Sequence, residues 1–465
     1  MDENILKECF AIRKSIICLN SRIKSNAAAS RFTEANYCVI NPIDYCKVGC
    51  SHCLYSSLSN TESPKITIEQ AKKICQFLQQ ANTKQIVFSG GGEPMENLEV
   101  MRFILENIST LDDAVIVTSG FFGIDRQACD QTLRNILSSC NEKRTNKNWN
   151  NVSLKLRLSR DEHYCNRIPT DAIINIIDVI RDAKNKYDIT LMMRTIIDDK
   201  NGELYKLKDK ISAIFYPRDF EKNYYTIDGL PVCWMLYGDL EIPLLFKPKY
   251  FVGRERSSGK SYSFWDILKD EQIASRQFNL CIRGPRGQGH NYYENIIKGH
   301  AYVVSKRKKI ITKYDYTDKQ IALYILADGR VSINNGVPDN YLKIEQIKTW
   351  EDFLEKQTSD PLQNFLLEHG PLPLFERMKS IDSTLQERVE KNNFVFSISL
   401  NTLENACKRF VLMIEILQIS GYDVTSYVSL YDRAISSIKN FRCNKNQENK
   451  GADPIIGNEV SIYAD

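Results

Sequence analysis

No apolar run in the sequence approaches the roughly 18 residues needed to cross a bilayer, so no membrane-spanning helix is expected. The opening residues, MDENILKECF, carry acids where a secretory leader needs a basic start, and a cytoplasmic protein is expected. Neither charge sign dominates. With 62 basic and 58 acidic residues the net of +4 is too small for the broad electrostatic footprint of a nucleic-acid binder. The one dense basic run, Lys306-Arg-Lys-Lys309, has no recognisable RNA-binding module beside it and reads as a solvated surface strand. Histidine is scarce, five in 465 residues, so candidates for general acid–base work are few. There is no internal repeat. Fourteen cysteines are too thinly spread to staple a secreted fold, and those scattered singly read as small buried apolar side chains in a reducing compartment.

What is present is a core-forming composition, 43% apolar, arranged as alternating strand and helix signals. Strands are predicted at Tyr37–Ile40, Gln85–Phe88, Ala114–Thr118, Val152–Ser159 and Asp188–Ile197. Helical periodicity falls between them, at Thr67–Ala81, Asn97–Ser109, Asp125–Ser139 and Thr170–Lys186. Thr67 with Gln70 makes a capping box, and Asp125 opens the third of these helices. Such alternation predicts an α/β fold with a parallel sheet, open or curled. Val152–Ser159 argues for the curled form. Val152, Leu154, Leu156 and Leu158 share one face and Ser153, Lys155, Arg157 and Ser159 the other, whereas central strands covered on both faces read as continuous apolar runs. A barrel wall with helices outside and a wet lumen inside fits that pattern.

Beyond the core the periodicity weakens. Residues 1–31 are expected to form an N-terminal helix laid on the core, and 32–255 the core itself, ending in a strand at Tyr250–Arg254. An α+β extension is expected over 256–400, with strands at Ile321–Leu326 and Val331–Ile333 about an Asp328-Gly329 turn, and helices near Thr349–Glu355 and Pro361–Glu368. Two helices are expected over 401–442 and a mobile polar tail over 443–465.

Asp44-Tyr-Cys46-Lys-Val-Gly-Cys50-Ser-His-Cys53 directly follows the first strand, at the carboxyl edge of the sheet, where α/β folds collect ligands. Spacing alone leaves three readings open. An iron–sulfur cluster held by three thiolates, with one iron lacking a protein ligand, is favoured. A closed zinc site needs four ligands and normally a second close pair; His52 is near, but no second CxxC occurs. Coincidence is the third. Ser89-Gly90-Gly91-Gly92-Glu93-Pro94 follows the second strand and stands in the neighbouring loop on the same edge. Three glycines let a ligand approach the backbone, and Glu93 offers an acceptor for a cationic group such as an ammonium.

The pairing of CxxxCxxC after the first strand with GGGEP after the second resembles the radical S-adenosylmethionine (radical SAM) superfamily, over about Asn36–Arg254. The resemblance implies a partial (β/α)6 TIM-like barrel with a C-terminal α+β extension and terminal helices. It implies two cofactors: a [4Fe-4S] cluster on Cys46, Cys50 and Cys53, and S-adenosylmethionine (SAM) bound to the open iron through its amino and carboxylate groups. It also implies that His52 lies by the adenine and that Gly90, Gly91, Gly92 and Glu93 hold the methionyl end. Thr118 with Ser119, Ser159 and Arg194 are then the positions for the ribose and carboxylate, and Gly253-Arg254 resembles a late-strand element of many members.

The implied activity is reductive cleavage of SAM to methionine and a 5′-deoxyadenosyl radical, which takes hydrogen from a peptide or small-molecule substrate. The implied electron donor is a flavodoxin or ferredoxin. His163, Tyr164 and Cys165, after the fourth strand, are candidates to donate a hydrogen atom or proton. Tyr324–Ile333 resembles the strand-turn-strand of a SPASM-type extension, but cysteines are absent around it and a second cluster is not expected. Two other function classes are weighed. An activase that installs a glycyl radical on a partner protein tends to be shorter, and a non-catalytic binding module is disfavoured by intact Cys46, Cys50, Cys53 and Glu93.

Overall fold

Helix α1 (Glu3–Asn20) leads into a sheet that has twelve strands among the described residues. The computed structural model describes residues 3–20, 31–49, 63–159, 167–183, 186–194, 233–237, 240–244, 252–255, 261–263, 320–333, 337, 340–369, 372–382 and 406–448. Strands β1 (Glu34–Ile40), β2 (Gln85–Phe88), β3 (Asp113–Thr118), β4 (Ser153–Ser159), β5 (Ile189–Arg194) and β6 (Cys233–Tyr237) lie side by side in chain order, all parallel. Between β1 and β5 each return passes through a helix: α2 (Ile68–Gln80), α3 (Leu98–Asn107), α4 (Arg126–Cys140) and α5 (Thr170–Ala183). The predicted capping box forms at α2, where the Thr67 hydroxyl accepts from Gln70 N and the Gln70 side chain accepts from Thr67 N. Asp125 caps α4 by accepting from Ala128 N at 2.7 Å.

The alternation in β4 survives folding. Leu154, Leu156 and Leu158 are fully buried, in one core with Leu133 of α4 and Ile173 and Ile177 of α5, while Ser153, Lys155, Arg157 and Ser159 on the other face are half-buried. Each leucine removed from water contributes about 1.5–3 kcal/mol, which fixes the register of the strand because a one-residue slip would exchange the two faces. The expected α/β class with a parallel sheet is what forms. Among the described residues no pairing joins the two edges of the sheet, so the barrel is partial.

Past β6 the sheet continues as an antiparallel meander of β7 (Leu240–Leu244), β8 (Val252–Glu255) and β9 (Ser261–Ser263). At its other edge β10 (Gln320–Ile325) pairs in parallel with β1, followed antiparallel by β11 (Arg330–Ile333) and β12 (Leu342–Lys343). The strands expected in the 256–400 extension thus continue the core sheet through β1. Gly329, at φ +80°, makes the predicted turn between β10 and β11.

A second core is helical. It joins α1 to α7 (Pro361–His369), α8 (Leu372–Lys379), α9 (Ala406–Ile419) and α10 (Val428–Glu448), with α6 (Trp350–Thr358) linking it to the sheet. Leu6, Cys9 and Ile16 of α1 are buried with Phe410, Met413 and Ala434, so α1 lies on the C-terminal helices rather than on the core strands next in the chain. Buried Arg13 explains the choice, because its guanidinium pairs with buried Asp360 just before α7. A lone buried cation would be prohibitive, and the acid that neutralises it lies nearly 350 residues away. Helix α10 runs through Cys443–Glu448, into the stretch expected to be tail. Residues 449–465, the basic run 306–309 and the predicted strand end at 195–197 lie outside the described residues. No helix among the described residues is long and apolar enough to cross a membrane.

Candidate functional site

The loop after β1 begins at Asn41 and is held back on itself at Lys65. Ile43 bridges Lys65, Asp44 N donates to Pro64 O at 2.9 Å, and Ile66 N donates to Pro42 O at 3.0 Å. Asn97 Nδ2 donates to Pro42 O at 2.8 Å and to Ile66 O at 3.0 Å, fixing both stems of the loop to the turn before α3. Cys46 sits half-buried in this loop, packed against the main core. Cys50, His52 and Cys53 lie outside the described residues, as do His163, Tyr164 and Cys165.

The glycine loop after β2 lies directly on this first loop. Ser89 N donates to Ile40 O at 3.0 Å and Glu93 N to Tyr45 O at 2.9 Å. A Cβ on Gly92 would stand 2.2 Å from Ile43 O and 2.3 Å from Tyr45 O, and one on Gly90 (φ +154°) would stand 2.4 Å from Asn41 Cβ. A Cβ on Gly91 would stand 2.7 Å from Asp44 Oδ1. The triplet is therefore required by the approach of one loop to the other, whatever it offers a ligand on its open side. Two adjacent βα loops become one unit.

Asn41 occupies the seam between them. It is 3% exposed; Nδ2 donates to Asp44 Oδ1 at 2.5 Å, but Oδ1 is buried without a hydrogen-bond partner. An unsatisfied buried acceptor costs about 1–3 kcal/mol, so this oxygen calls for a donor. Beside it the Asp44 carboxyl is raised above its ordinary value, first by burial and against the Asn41 hydrogen bond. An orphaned carbonyl oxygen next to a half-buried carboxylate fits an ammonium group. Neither residue was singled out from the sequence. The available signal was Asn41 standing at the end of the first strand, next to the cysteine motif.

Glu93 behaves differently from the expectation that it receives the ammonium. Its side chain is 3% exposed and turned to the end of β3: Oε2 accepts from Ser119 N at 2.9 Å and Ser119 Oγ at 2.6 Å, and Oε1 accepts from Met95 N at 3.3 Å. Burial pushes its pKa up, and the hydrogen bonds from Ser119, Thr118 and Met95 oppose that rise. Thr118 is itself buried and its Oγ1 accepts from Gly120 N at 3.1 Å. Glu93, Thr118 and Ser119 are thus brought together as a brace between the loops after β2 and β3. Ser159 closes β4 half-buried, in register with Arg194 of β5, so the two positions share the carboxyl edge. On the same face Lys155 pairs with Asp113 at 3.2 Å, nearer the opposite edge of the sheet.

The comparisons with known proteins bear on this edge. Residues 37–163 match the family model for a 4Fe-4S single cluster domain. The matched stretch runs from β1 past β4 and takes in all three motif cysteines, the glycine loop and the Glu93 brace. The match thus falls on the stretch that carries the motif pair and spans about a quarter of the chain. Among solved structures the chain is similar to BtrN in complex with AdoMet and 2-DOIA, at 15% identity and a TM-score of 0.26, covering 56% of this chain and 91% of that one. It is also similar to Streptococcus suis SuiB bound to S-adenosylmethionine, at 12% identity and a TM-score of 0.32, covering 64% and 60%. A third, native anSMEcpe with bound AdoMet, is 14% identical with a TM-score of 0.36, covering 87% and 99%. No curated protein matches the chain in sequence.

Proposed function

We propose that the chain is a radical SAM enzyme. Cys46, Cys50 and Cys53 are the thiolates for the cluster, and Asn41, Asp44 and the open side of Gly90–Gly92 are the groups for the methionyl end of SAM. The observation that carries this reading is the seam between the two loops, where a buried acceptor without a partner faces the glycine triplet beside the cysteine segment. A bound [4Fe-4S] cluster would supply the electron for reductive cleavage of bound SAM, the chemistry that takes hydrogen from a substrate carbon.

The chain's own residues orient and enclose. The Glu93–Ser119 brace holds the glycine loop to the end of β3, and Ser89 N and Glu93 N bond it to Ile40 O and Tyr45 O of the first loop's stem, so the glycine loop cannot leave either neighbour without breaking hydrogen bonds. The half-polar inner face of β4 offers Arg157 and Ser159 to a substrate, a peptide or small molecule, while the opposite face stays dry against the helices. A flavodoxin or ferredoxin is the fitting electron donor, and a reducing cytoplasm the fitting compartment, since the cluster must be kept from oxygen.

The test is release of 5′-deoxyadenosine by anaerobically reconstituted protein supplied with SAM and a reductant. Deoxyadenosine from the wild type and none from the Cys46/Cys50/Cys53→Ala triple variant is the expected result. A fully loaded cluster that leaves SAM intact, with and without candidate substrates, would reduce the protein to a binding module.

A further inference from the structure

Consecutive residues of the cysteine segment are each held by a different neighbouring loop. Lys47 Nζ stands 3.0 Å from Glu96, in the turn just past the glycine loop, and 3.7 Å from the ring centroid of Phe121, in the loop after β3. The carbonyl of Val48 accepts from Arg167 Nη1 at 3.0 Å, and Arg167 lies beyond the end of β4. Glu96 follows β2, the neighbour of β1, Phe121 follows β3, one strand further, and Arg167 follows β4, further still: β2 and β3 lie between β1 and β4, so the Arg167 bond crosses the mouth of the sheet.

The local backbone is shaped for that bond. The Val48 side chain is buried at 5% exposure, which fixes the peptide whose oxygen Arg167 takes. Gly49 comes next at φ +58°, in the left-handed region, and a Cβ there would stand 3.3 Å from Arg167 Nη1. A guanidinium is the suitable donor, since it keeps its charge at any working pH and bonds with a rigid fork.

We propose that Arg167 is a positioning residue for the cysteine segment: it clamps the Val48 peptide, between Cys46 and Cys50, in the arrangement that receives the cluster, and sets a fixed positive charge beside it. This rests on the radical SAM reading. The clamp acts on the metal-free chain as well as on the loaded one, and the charge favours the reduced cluster over the oxidised one.

Full-length wild type, Arg167→Gln, Arg167→Lys and the exposed ion-pair control Arg126→Gln test it, each reconstituted anaerobically. Three quantities are read: hydrogen exchange over residues 46–53 without metal, the rate of iron release to a ferrous chelator, and the midpoint potential of the cluster. Arg167→Gln is expected to speed exchange over 46–53, to release iron about ten-fold faster, the loss of one charge-assisted hydrogen bond, and to lower the potential. Arg167→Lys is expected to restore the potential but only part of the retention, because it keeps the charge and loses the fork. A merely structural arginine would not split the two readouts this way. Iron release and potential equal to wild type in Arg167→Gln, or equal effects from Arg126→Gln, overturn the proposal. Wild type that takes up no iron overturns the radical SAM reading instead, and the metal-free exchange arm still decides whether Arg167 holds the segment.

Discussion

The Asn41 carboxamide has one satisfied half and one unsatisfied half, and the difference says what is missing. Its Nδ2 already donates to Asp44, so only an incoming donor can complete Oδ1. Asn41→Ala and Asp44→Asn are each expected to weaken SAM binding about ten-fold, the worth of a charge-assisted hydrogen bond, while iron content stays at the wild-type level; equilibrium dialysis with labelled SAM measures the first and metal analysis the second. Glu93 makes the opposite case, a carboxyl whose two oxygens both accept from within the protein. Burial raises its pKa in the folded chain, so the folded state holds this proton to higher pH than the unfolded state does. Its contribution to stability is therefore greatest at low pH and declines as pH rises from the ordinary carboxyl value of 4.5 through the raised one. The wild-type midpoint in urea minus that of Glu93→Gln is expected to fall as pH rises across that window; the difference isolates Glu93 from carboxyls such as Glu106 and Asp352, which are held below their ordinary value and act in the opposite direction. A difference that rises with pH there would mean that the brace is held by the ionised form.

At the scale of elements, the strands and helices of the core were legible because β4 and α2 state their faces in their own residues: period two in one, a capping box and a 3.6-residue period in the other. The approach of the two loops was not legible. A glycine triplet reads as freedom, and only the fold shows that the Cβ positions of Gly90 and Gly92 are filled by Asn41, Ile43 and Tyr45. Gly92→Ala is expected to separate the loops, since the nearest atoms are backbone carbonyls that cannot swing aside, and to lower iron retained after gel filtration to less than about half. Wild-type iron retention in this variant would show that the seam is softer than the geometry implies. The same limit hid Arg167, whose partner Val48 is 119 residues away and leaves no local trace in the sequence.

At the scale of the whole molecule, the first and last described helices meet. Helix α1 was readable as a helix from its apolar spacing, but its docking on α9 and α10 depends on Arg13 finding Asp360, which no periodicity announces. Removing one member of a buried pair strands the other, so Asp360→Ala is expected to destabilise the chain by about 3–5 kcal/mol in chemical denaturation, and the Arg13→Leu/Asp360→Leu double variant far less. Equal losses in both would mean that packing, and not the uncompensated charge, dominates. The parallel pairing of β10 with β1 likewise extends the wall beside the cysteine loop with residues near 320, which lie in the stretch expected as an α+β extension.

The proposed cluster is a [4Fe-4S] centre on three thiolates after β1 with one iron open to SAM. It is tested most directly by iron and sulfide analysis of the reconstituted chain together with the electron paramagnetic resonance of the reduced cluster before and after SAM is added. About four irons and four sulfides per chain are expected, with a signal that shifts when SAM binds, both lost in the Cys46/Cys50/Cys53→Ala variant. Zinc in place of iron, or a reduced-cluster signal indifferent to SAM, would contradict it.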